Sequence, residues 1–326
     1  MKILLTGASG FVGSHILDSL RERGLATTLL LRPTSNQRFI EPHLSGVELR
    51  PGSIDDLESL RQAMAGITHV IHCAGATKVR RISDFYSINQ VGTRNVVEAV
   101  NAQQGRVQRV VLISSLAAAG PAVPEKPAVE ADSPRPVSQY GKSKLAGERE
   151  VQTHCCAEHV ILRPPAVYGP RDAEFLRLFR AVKSHILPKP GGKQALSLVF
   201  AKDLAEAIVT CLQHPAAAGK TYFVAAREIV TARIMASEIA AQMKVWTLPL
   251  PLPTAFLWPI CLAQEAISRL TGKASVLSLQ KFAELRAPGW VCDSARLERE
   301  TGYACPTTLE AGVAQTLAWY RQHHWL

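Results

Sequence analysis

A glycine-rich turn directly after the first apolar run constrains this chain of 326 residues more than any other feature. Residues 2–5 form the apolar run, the turn Thr-Gly-Ala-Ser-Gly-Phe-Val-Gly occupies 6–13, and an amphipathic stretch then runs to residue 23, before Gly24. Strand, glycine turn and helix in this order are typical of a dinucleotide-binding fold, in which helix N-terminal N–H groups hold a pyrophosphate. A glycine turn without a ligand is the alternative interpretation. The turn residues that we expect to contact a cofactor are Thr6, Gly7, Ser9, Gly10, Phe11, Val12 and Gly13.

Apolar runs and amphipathic stretches alternate through the first half of the chain. The strand-like runs are 27–31, 47–50, 69–73, 107–113 and 159–162, and the helical patterns between them are 55–65, 85–101 and 138–155. Continuous Val, Ile and Leu runs separated by helices predict a parallel sheet that is covered on both faces. The expected fold class is therefore α/β, a Rossmann doubly wound parallel sheet over 1–165. Residues 166–326 are expected to form mainly a smaller, interleaved substrate-binding cap, with about 196–214 returning to the first domain.

Composition is typical of a soluble globular enzyme. Hydrophobic residues make up 47% of the chain and charged residues 20%, which excludes disordered, collagen-like and coiled-coil classes. The net charge of +10 fits an anionic ligand or surface, but the basic residues are scattered, so we expect no nucleic-acid partner. The seven cysteines show no metal-ligand spacing, which predicts no metal site and a reducing compartment. The N-terminus runs straight into the glycine turn without a signal-peptide pattern, so a cytoplasmic location is expected.

The end of the second strand indicates which dinucleotide is bound. NAD sites place Asp or Glu there to accept a hydrogen bond from the ribose 2′-OH, whereas a basic residue suits the 2′-phosphate of NADP. This strand ends in Arg32, with Ser35 and Arg38 close behind. A guanidinium can pair with phosphate through two hydrogen bonds. The sequence therefore favours NADP(H), whereas an Arg32 that is only a solvated loop cation would leave NAD open.

Tyr140 and Lys144 stand four residues apart on a predicted helix and therefore share one face. A phenol titrates at about pH 10 by itself, and a nearby ammonium stabilises the phenolate and lowers its pKa. Ser115 ends the run 110–115 at the carboxyl edge of the sheet, where such folds bind ligands, and can polarise a carbonyl. Ser114 is the alternative for that role, because alternate side chains on a strand point to opposite faces. We favour Ser115.

In their order and spacing these residues resemble the extended branch of the short-chain dehydrogenase/reductase superfamily, the NAD-dependent epimerase/dehydratase family, over nearly the whole chain. The shared motifs are T-G-x-x-G-x-x-G at 6–13, H-C-A-G-A at 72–76, Asn89 with G-T-R-N at 92–95, Y-x-x-x-K at 140–144, L-R-P at 162–164 with Y-G-P at 168–170, and W-Y-R at 319–321.

The resemblance implies roles for individual side chains. Ser115 would orient a carbonyl, Tyr140 would donate or take the proton, and Lys144 would hold the nicotinamide ribose. Asn89 would support the site from behind. Ser53 stands where the family often has Asp, which reaches the adenine. The further cofactor contacts that the resemblance implies are Ser53, Ile54, Ala74, Gly75, Ala76, Tyr140, Lys144 and Pro164.

Three departures separate the chain from the sugar-nucleotide epimerases and dehydratases of this family. Those enzymes usually have S-S-x-x-V-Y-G after the fifth strand, many have Asn before V-Y-G, and they generally have an acidic residue ending the second strand. This chain has alanine at 117–119, Ala166 and Arg32 at these places. Each change removes a polar contact that a sugar nucleotide would use.

The remaining likeness is to the 3β-hydroxysteroid dehydrogenase and dihydroflavonol reductase group. It implies an oxidoreductase that interconverts a ketone and a secondary alcohol on an apolar ring-type substrate, and Arg32 makes NADP(H) its expected cofactor. An NAD-dependent nucleotide-sugar epimerase or dehydratase is one alternative. A non-catalytic NADP-binding sensor or assembly factor is the other.

The apolar segment 246–263 is interrupted by four prolines and is too broken for a membrane-spanning helix. We interpret it as a lid over the substrate pocket, with residues 256–258 next to an apolar substrate, and contact with a membrane is the second interpretation. The family resemblance also implies a homodimer formed through 85–101 and 138–155. Other titratable residues are interpreted as structural, and these are His15, His72, His323, His324, Cys155 and Cys156.

Overall fold

The computed structural model describes residues 1–190, 194–252 and 283–326. The strands of its main sheet are β1 (Lys2–Thr6), β2 (Ala26–Leu31), β3 (Glu48–Pro51), β4 (His69–His72), β5 (Arg109–Ile113), β6 (Glu158–Arg163) and β10 (Lys220–Phe223). They lie in the order β10-β6-β5-β4-β1-β2-β3, and each neighbouring pair is parallel. The predicted α/β class is confirmed. The strand order reverses at β1, and the carboxyl ends of β1, β2 and β4 surround the crevice where such sheets bind ligands.

Helices cover both faces of the main sheet, and further helices belong to the cap. Those of the described residues are α1 (Phe11–Glu22), α2 (Leu57–Ala63), α3 (Ile82–Tyr86), α4 (Gly92–Asn101), α5 (Leu116–Ala119), α6 (Gln139–His154), α7 (Phe175–Lys183), α8 (Ala201–Gln213), α9 (Ala232–Met243), α10 (Ala295–Thr301) and α11 (Leu309–Gln322). The predicted helix 85–101 is interrupted, because a π-helical turn, Ser87–Val91, separates α3 from α4. Asn89, one of the predicted site residues, lies in this π-helical turn.

Alternate residues along β1 enter two separate cores. Ile3 and Leu5 pack in a core with residues of α1 and α8, whereas Leu4 packs with residues of α2 and α4. All three side chains are fully buried. Because both faces of β1 are buried, its sequence is a continuous apolar run.

The cap contains a second sheet and a two-stranded ribbon. The second sheet consists of β7 (Ala166–Tyr168), β9 (Ala195–Phe200), β11 (Ile229–Thr231) and β13 (Gly289–Trp290), and the ribbon consists of β8 (Ile186–Pro190) and β12 (Leu248–Leu252). A core that includes Phe179 and Tyr320 joins α7, α9 and α11 beneath these strands. The cap is thus folded around its own core, whereas α8 and β10 of the C-terminal half pack with the main sheet.

The structure places the two elements of the segment 196–214 in different parts of the fold. Its helix, α8, packs on α1, whereas its strand, β9, joins the cap sheet. The strand that returns to the main sheet is β10, which is too short and too polar to stand out in the sequence. The lid residues 256–258 lie outside the described residues. None of the helices in the described ranges combines the length and apolar character needed to cross a bilayer.

Candidate active site

The glycine turn between β1 and α1 is closed tightly against the end of β4. Gly7 has a φ of +77°, and a Cβ at this position would lie 2.6 Å from the Ala74 nitrogen. A Cβ at Gly13 would lie 2.0 Å from the Gly7 carbonyl oxygen, so only glycine permits this approach of helix to turn. Gly10 caps α1 without a side-chain hydrogen bond, and the first turn of α1 has no acidic residue. N–H groups exposed in this way fit the pyrophosphate of a dinucleotide.

Arg32 and Ser53 follow neighbouring strands at the same edge of the sheet. The Gly52 N–H donates to the Leu31 carbonyl at 3.0 Å, which keeps the ends of β2 and β3 together. Arg32 is exposed, and its backbone N–H donates to Ser35 Oγ at 3.2 Å. Its guanidinium is therefore accessible to a phosphate at the adenosine end of the crevice.

Two other predicted cofactor contacts lie in loops at the same edge of the sheet. The Ile54 carbonyl accepts a hydrogen bond from Asn95 Nδ2 at 2.8 Å, which attaches the loop after β3 to α4. The Pro164 carbonyl accepts a hydrogen bond from the Leu116 N–H at 2.8 Å, which attaches the loop after β6 to α5. Both loops are thus fixed by hydrogen bonds to neighbouring helices.

Tyr140 in the first turn of α6 lies beside Ser115, two residues after β5. Ser115 caps α5, where its Oγ accepts a hydrogen bond from the Ala117 N–H at 3.1 Å, and it shares a side-chain hydrogen bond with Tyr140. The two helices approach closely because residue 141 is glycine: a Cβ there would lie 2.2 Å from the Ala117 carbonyl oxygen. The structure brings this serine and this tyrosine together as the sequence pattern predicts.

Lys144 is buried on the same face of α6 as Tyr140. Its Nζ donates to the Ile113 carbonyl at 2.6 Å. A Cβ at Gly75 would lie 3.5 Å from Nζ, so the loop after β4 passes directly over the ammonium group. Burial lowers the pKa of Lys144 to about 8, although Cys73 and Glu148 act in the opposite direction.

Burial raises the pKa of Tyr140 to about 12, and the hydrogen bond from Ser115 only partly opposes this. The sequence pattern predicts a lowered pKa for this phenol, and the structure shows the opposite direction. The reason is that the Tyr140 ring is shielded from water in the folded protein, where its centroid lies 5.9 Å from that of the Phe85 ring. The free protein therefore holds a protonated phenol at neutral pH.

A chain of hydrogen bonds fixes the protonation of His72 at the end of β4. Thr93 Oγ1 donates its only proton to the Asn89 carbonyl at 2.8 Å, so His72 Nε2, which is 3.1 Å from Thr93 Oγ1, must be the donor. His72 Nδ1 then accepts from Thr6 Oγ1 at 2.8 Å, and Thr6 Oγ1 accepts from the Ala74 N–H at 3.2 Å. Burial lowers the pKa of His72 to about 3, which keeps the ring neutral.

Asn89 connects the loop after β4 to α6. It lies in the π-helical turn and is 2% exposed. Its Oδ1 accepts from the Ala76 N–H at 2.8 Å, and its Nδ2 donates to the Ala76 carbonyl at 3.0 Å and to Ser143 Oγ at 2.9 Å. Ser143 Oγ in turn donates to the Tyr140 carbonyl at 2.8 Å. Asn89 thus holds the predicted cofactor loop 74–76 against α6.

Sequence reasoning missed a buried ion pair beneath the site. Glu148 and Arg163 are joined at 2.6 Å, with side-chain exposures of 0% and 5%. Ser114 hydrogen-bonds the Glu148 carboxylate, so it is directed to this pair while Ser115 meets Tyr140. Arg163 stands directly before Pro164 in the L-R-P motif. An arginine at the end of an apolar strand was the signal in the sequence that could have indicated a buried ion pair. No three His, Cys, Asp or Glu side chains among the described residues are grouped to hold a metal ion.

The chain matches the NAD dependent epimerase/dehydratase family over residues 3–225. It is 30% identical to a ceramide reductase of Caulobacter vibrioides, over 99% of this chain and 96% of that protein. It is 29% identical to a UDP-glucose 4-epimerase of Vibrio cholerae, over 96% of this chain and 94% of that protein. Among solved structures, the UDP-glucose 4-epimerase of Thermus thermophilus in complex with NAD superposes with a TM-score of 0.75, at 25% identity, over 98% of this chain and 99% of that one.

Proposed function

The chain belongs to the NAD dependent epimerase/dehydratase family of NAD(P)-dependent enzymes, and we propose that within this family it is an NADP(H)-dependent oxidoreductase that interconverts a ketone and a secondary alcohol on an apolar substrate. The observation that carries the proposal is the grouping of Ser115, Tyr140 and Lys144 next to the glycine turn. These side chains can bind a carbonyl oxygen and move a proton to or from it, at the edge of the sheet where a dinucleotide fits.

The three side chains divide the proton chemistry between them. Bound nicotinamide would supply or accept the hydride. Ser115 Oγ donates a hydrogen bond to the substrate oxygen, and Tyr140 Oη delivers the proton to it. A pKa of about 12 keeps Tyr140 protonated at neutral pH, which suits ketone reduction. The Lys144 ammonium stabilises the phenolate that remains.

The choice of NADP(H) rests on the end of β2. Arg32 is exposed at the position where NAD sites carry an acidic residue, and a guanidinium pairs well with a 2′-phosphate. The relative of known structure that was solved with NAD shows that the fold holds a nicotinamide dinucleotide. NAD remains the alternative cofactor.

An apolar substrate is supported by the residues at the positions where sugar-nucleotide enzymes of this family carry polar groups. The helix after Ser115 has alanine at 117–119, and Ala166 begins β7. Methyl groups leave the hydroxyls and phosphates of a sugar nucleotide without partners. The ceramide reductase relative acts on a lipid, which agrees with this preference.

The proposal is tested by ketone-dependent oxidation of NADPH, measured by the loss of nicotinamide absorbance over a panel of apolar ketones that includes a ceramide-type ketone. Tyr140→Phe is expected to lower kcat by about 10²–10⁴-fold, because it removes the proton donor and leaves the ring in place. Tyr86→Phe is the matched control, since the Tyr86 hydroxyl bonds Gln139 and not Ser115. Full turnover by Tyr140→Phe on a confirmed substrate would contradict the assignment.

An NAD-dependent epimerase acting on a sugar nucleotide is the second candidate, and the Vibrio cholerae relative favours it. An epimerase returns the hydride to its own product and therefore retains its dinucleotide, whereas a reductase exchanges it at each turnover. Mass spectrometry of the nucleotide that co-purifies with the protein separates the two functions. Tightly retained NAD together with epimerisation of a UDP-sugar would replace the oxidoreductase proposal.

A further inference from the structure

Four exposed apolar side chains form a continuous ridge on the cap. Leu248 and Leu250 alternate along β12 and so lie on one face, and Leu248 pairs in register with Ile186 of β8. Trp246 precedes them, and the exposures of Ile186, Trp246, Leu248 and Leu250 are 40%, 70%, 67% and 46%. Trp246 and Leu248 are the most exposed large apolar side chains of the residues that the structure describes. Scattered single residues of this kind are ordinary, but a contiguous ridge marks an interaction surface.

The ridge is held in place, although it is exposed. The indole of Trp246 stacks on the imidazole of His185 at 4.3 Å, with 16° between the ring planes. His185 Nδ1 lies 2.8 Å from the Trp246 carbonyl oxygen, and the Leu248 N–H donates to the His185 carbonyl at 2.8 Å. An indole that is fixed by stacking and is 70% exposed is available for an intermolecular contact.

A lysine stands shortly before each of the two strands that carry the ridge. Lys183 ends α7 shortly before β8, and Lys244 follows α9 shortly before Trp246, and both are exposed. Neither 183–187 nor 244–250 contains an acidic residue, and the nearest carboxylate on α9, Glu238, is bonded by Gln242. The whole chain carries a net charge of +10. A lipid surface has an apolar interior, an interface that favours tryptophan, and anionic headgroups that attract lysine. The ridge and its lysines supply a side chain for each of these layers.

We propose that the ridge of Ile186, Trp246, Leu248 and Leu250 docks the protein on an anionic lipid surface. The leucines enter the apolar boundary, the indole lies at the headgroup level, and Lys183 and Lys244 meet the headgroup phosphates. Docking brings the cap next to the lipid bilayer in which an apolar substrate is dissolved. In this respect the inference rests on the proposed function.

Flotation of the full chain with lipid vesicles tests the docking without substrate or cofactor. We expect binding to phosphatidylcholine vesicles that contain phosphatidylglycerol, and a loss of about ten-fold or more in Trp246→Asp and in Leu248→Asp, since each places a charge in the apolar layer. Lys183→Gln and Lys244→Gln should each weaken binding by about five-fold on the anionic vesicles, and less at high salt. Leu49→Asp is the matched control, because Leu49 is 44% exposed on β3, an edge strand of the main sheet, whereas the ridge belongs to the ribbon of the cap.

Two results would overturn the docking proposal. The first is a wild-type chain that stays with the soluble fraction on anionic vesicles, or aspartate variants that float as well as Leu49→Asp. The second is a dimer in sedimentation analysis that Leu248→Asp dissociates while no vesicle binding occurs, since the ridge would then be a contact between two copies. Neither result affects the ketone assay with detergent-dispersed substrate, so the proposed function is tested separately.

Discussion

At the scale of single residues, the titration of Lys144 is expected to limit turnover on the alkaline side. Its folded pKa of about 8 means that the ammonium is present below this pH and is lost as the pH rises through it. Because the neutral amine no longer stabilises the Tyr140 phenolate, kcat/KM for ketone reduction should decrease above about pH 8. The measurement is a pH profile of kcat/KM. A flat profile from about pH 7 to pH 10 would show that this charge is not used.

Arg32 is expected to decide between the two dinucleotides. Arg32→Asp removes the phosphate-binding group and places a carboxylate where a ribose 2′-OH could donate to it. The Kd of NADPH should rise by about 100-fold, whereas that of NADH should change by less than about ten-fold in either direction. Arg106→Asp makes the same charge change at an exposed position before β5, at the opposite edge of the sheet, and serves as the control. Equal losses for both dinucleotides in titrations followed by fluorescence would remove the basis for preferring NADP.

At the scale of the elements, His72 is the link between β1, β4 and α4. His72→Leu leaves Thr6 Oγ1 and Thr93 Oγ1 each without one buried partner, so the turn after β1 and the loop 74–76 lose their mutual support. We expect the KM for NADPH to rise by about ten-fold while kcat falls less. His72→Gln has an acceptor and a donor in similar positions and should restore most of the affinity.

His69 provides the matched control for that prediction. It is buried at the other end of β4, where its Nδ1 lies 2.9 Å from Thr68 Oγ1. His69→Leu is therefore expected to reduce stability without changing the KM for NADPH. If His72→Leu changes only stability, or if His72→Gln fails to restore the KM, then His72 is a packing residue and has no positioning role.

The elements also show which parts of the site the sequence could predict. The glycine turn and the Tyr140–Lys144 helix were predictable, because each depends on residues that are close together in the chain. The π-helical turn at Asn89 was not, since the predicted helix 85–101 keeps a helical pattern through it. The hydrogen bonds of Asn89 to Ala76 and Ser143 exist only after two loops and a helix have packed together.

At the scale of the whole molecule, the long buried strands were predictable and the short strands of the cap were not. Six of the seven strands in the main sheet overlap runs that the sequence pattern predicts, whereas β10 begins with Lys220 and Thr221 and is defined by its pairing with β6. The three-residue strands β7 and β11 likewise depend on β9. The direction of the Tyr140 pKa was mispredicted for a related reason, because burial depends on the assembled fold and not on the spacing of two residues.

Buried neutral histidines make the stability of the whole fold depend on pH. Burial lowers the pKa of His15 from 6.5 in the unfolded chain to about 4 in the folded one. At a pH between these two values, the unfolded chain binds a proton at His15 that the folded chain does not. The stability is therefore complete above the unfolded pKa and decreases as the pH falls below it, by about 2 kcal/mol from pH 7 to pH 5 for this residue. His72 acts in the same direction, whereas Asp172, with a pKa raised to about 6, acts in the opposite one.

His15→Gln isolates the contribution of this histidine to that pH dependence. The glutamine amide can still donate to the Pro170 carbonyl, which His15 Nε2 approaches at 2.9 Å, but it does not titrate. Urea unfolding at the two pH values should show the variant losing about 2 kcal/mol less than the wild type on acidification. His324→Gln, at an exposed position, should lose as much as the wild type. If His15→Gln and the wild type lose stability equally, His15 is protonated in the folded state at pH 5, and the contact between α1 and the segment after β7 accommodates its charge.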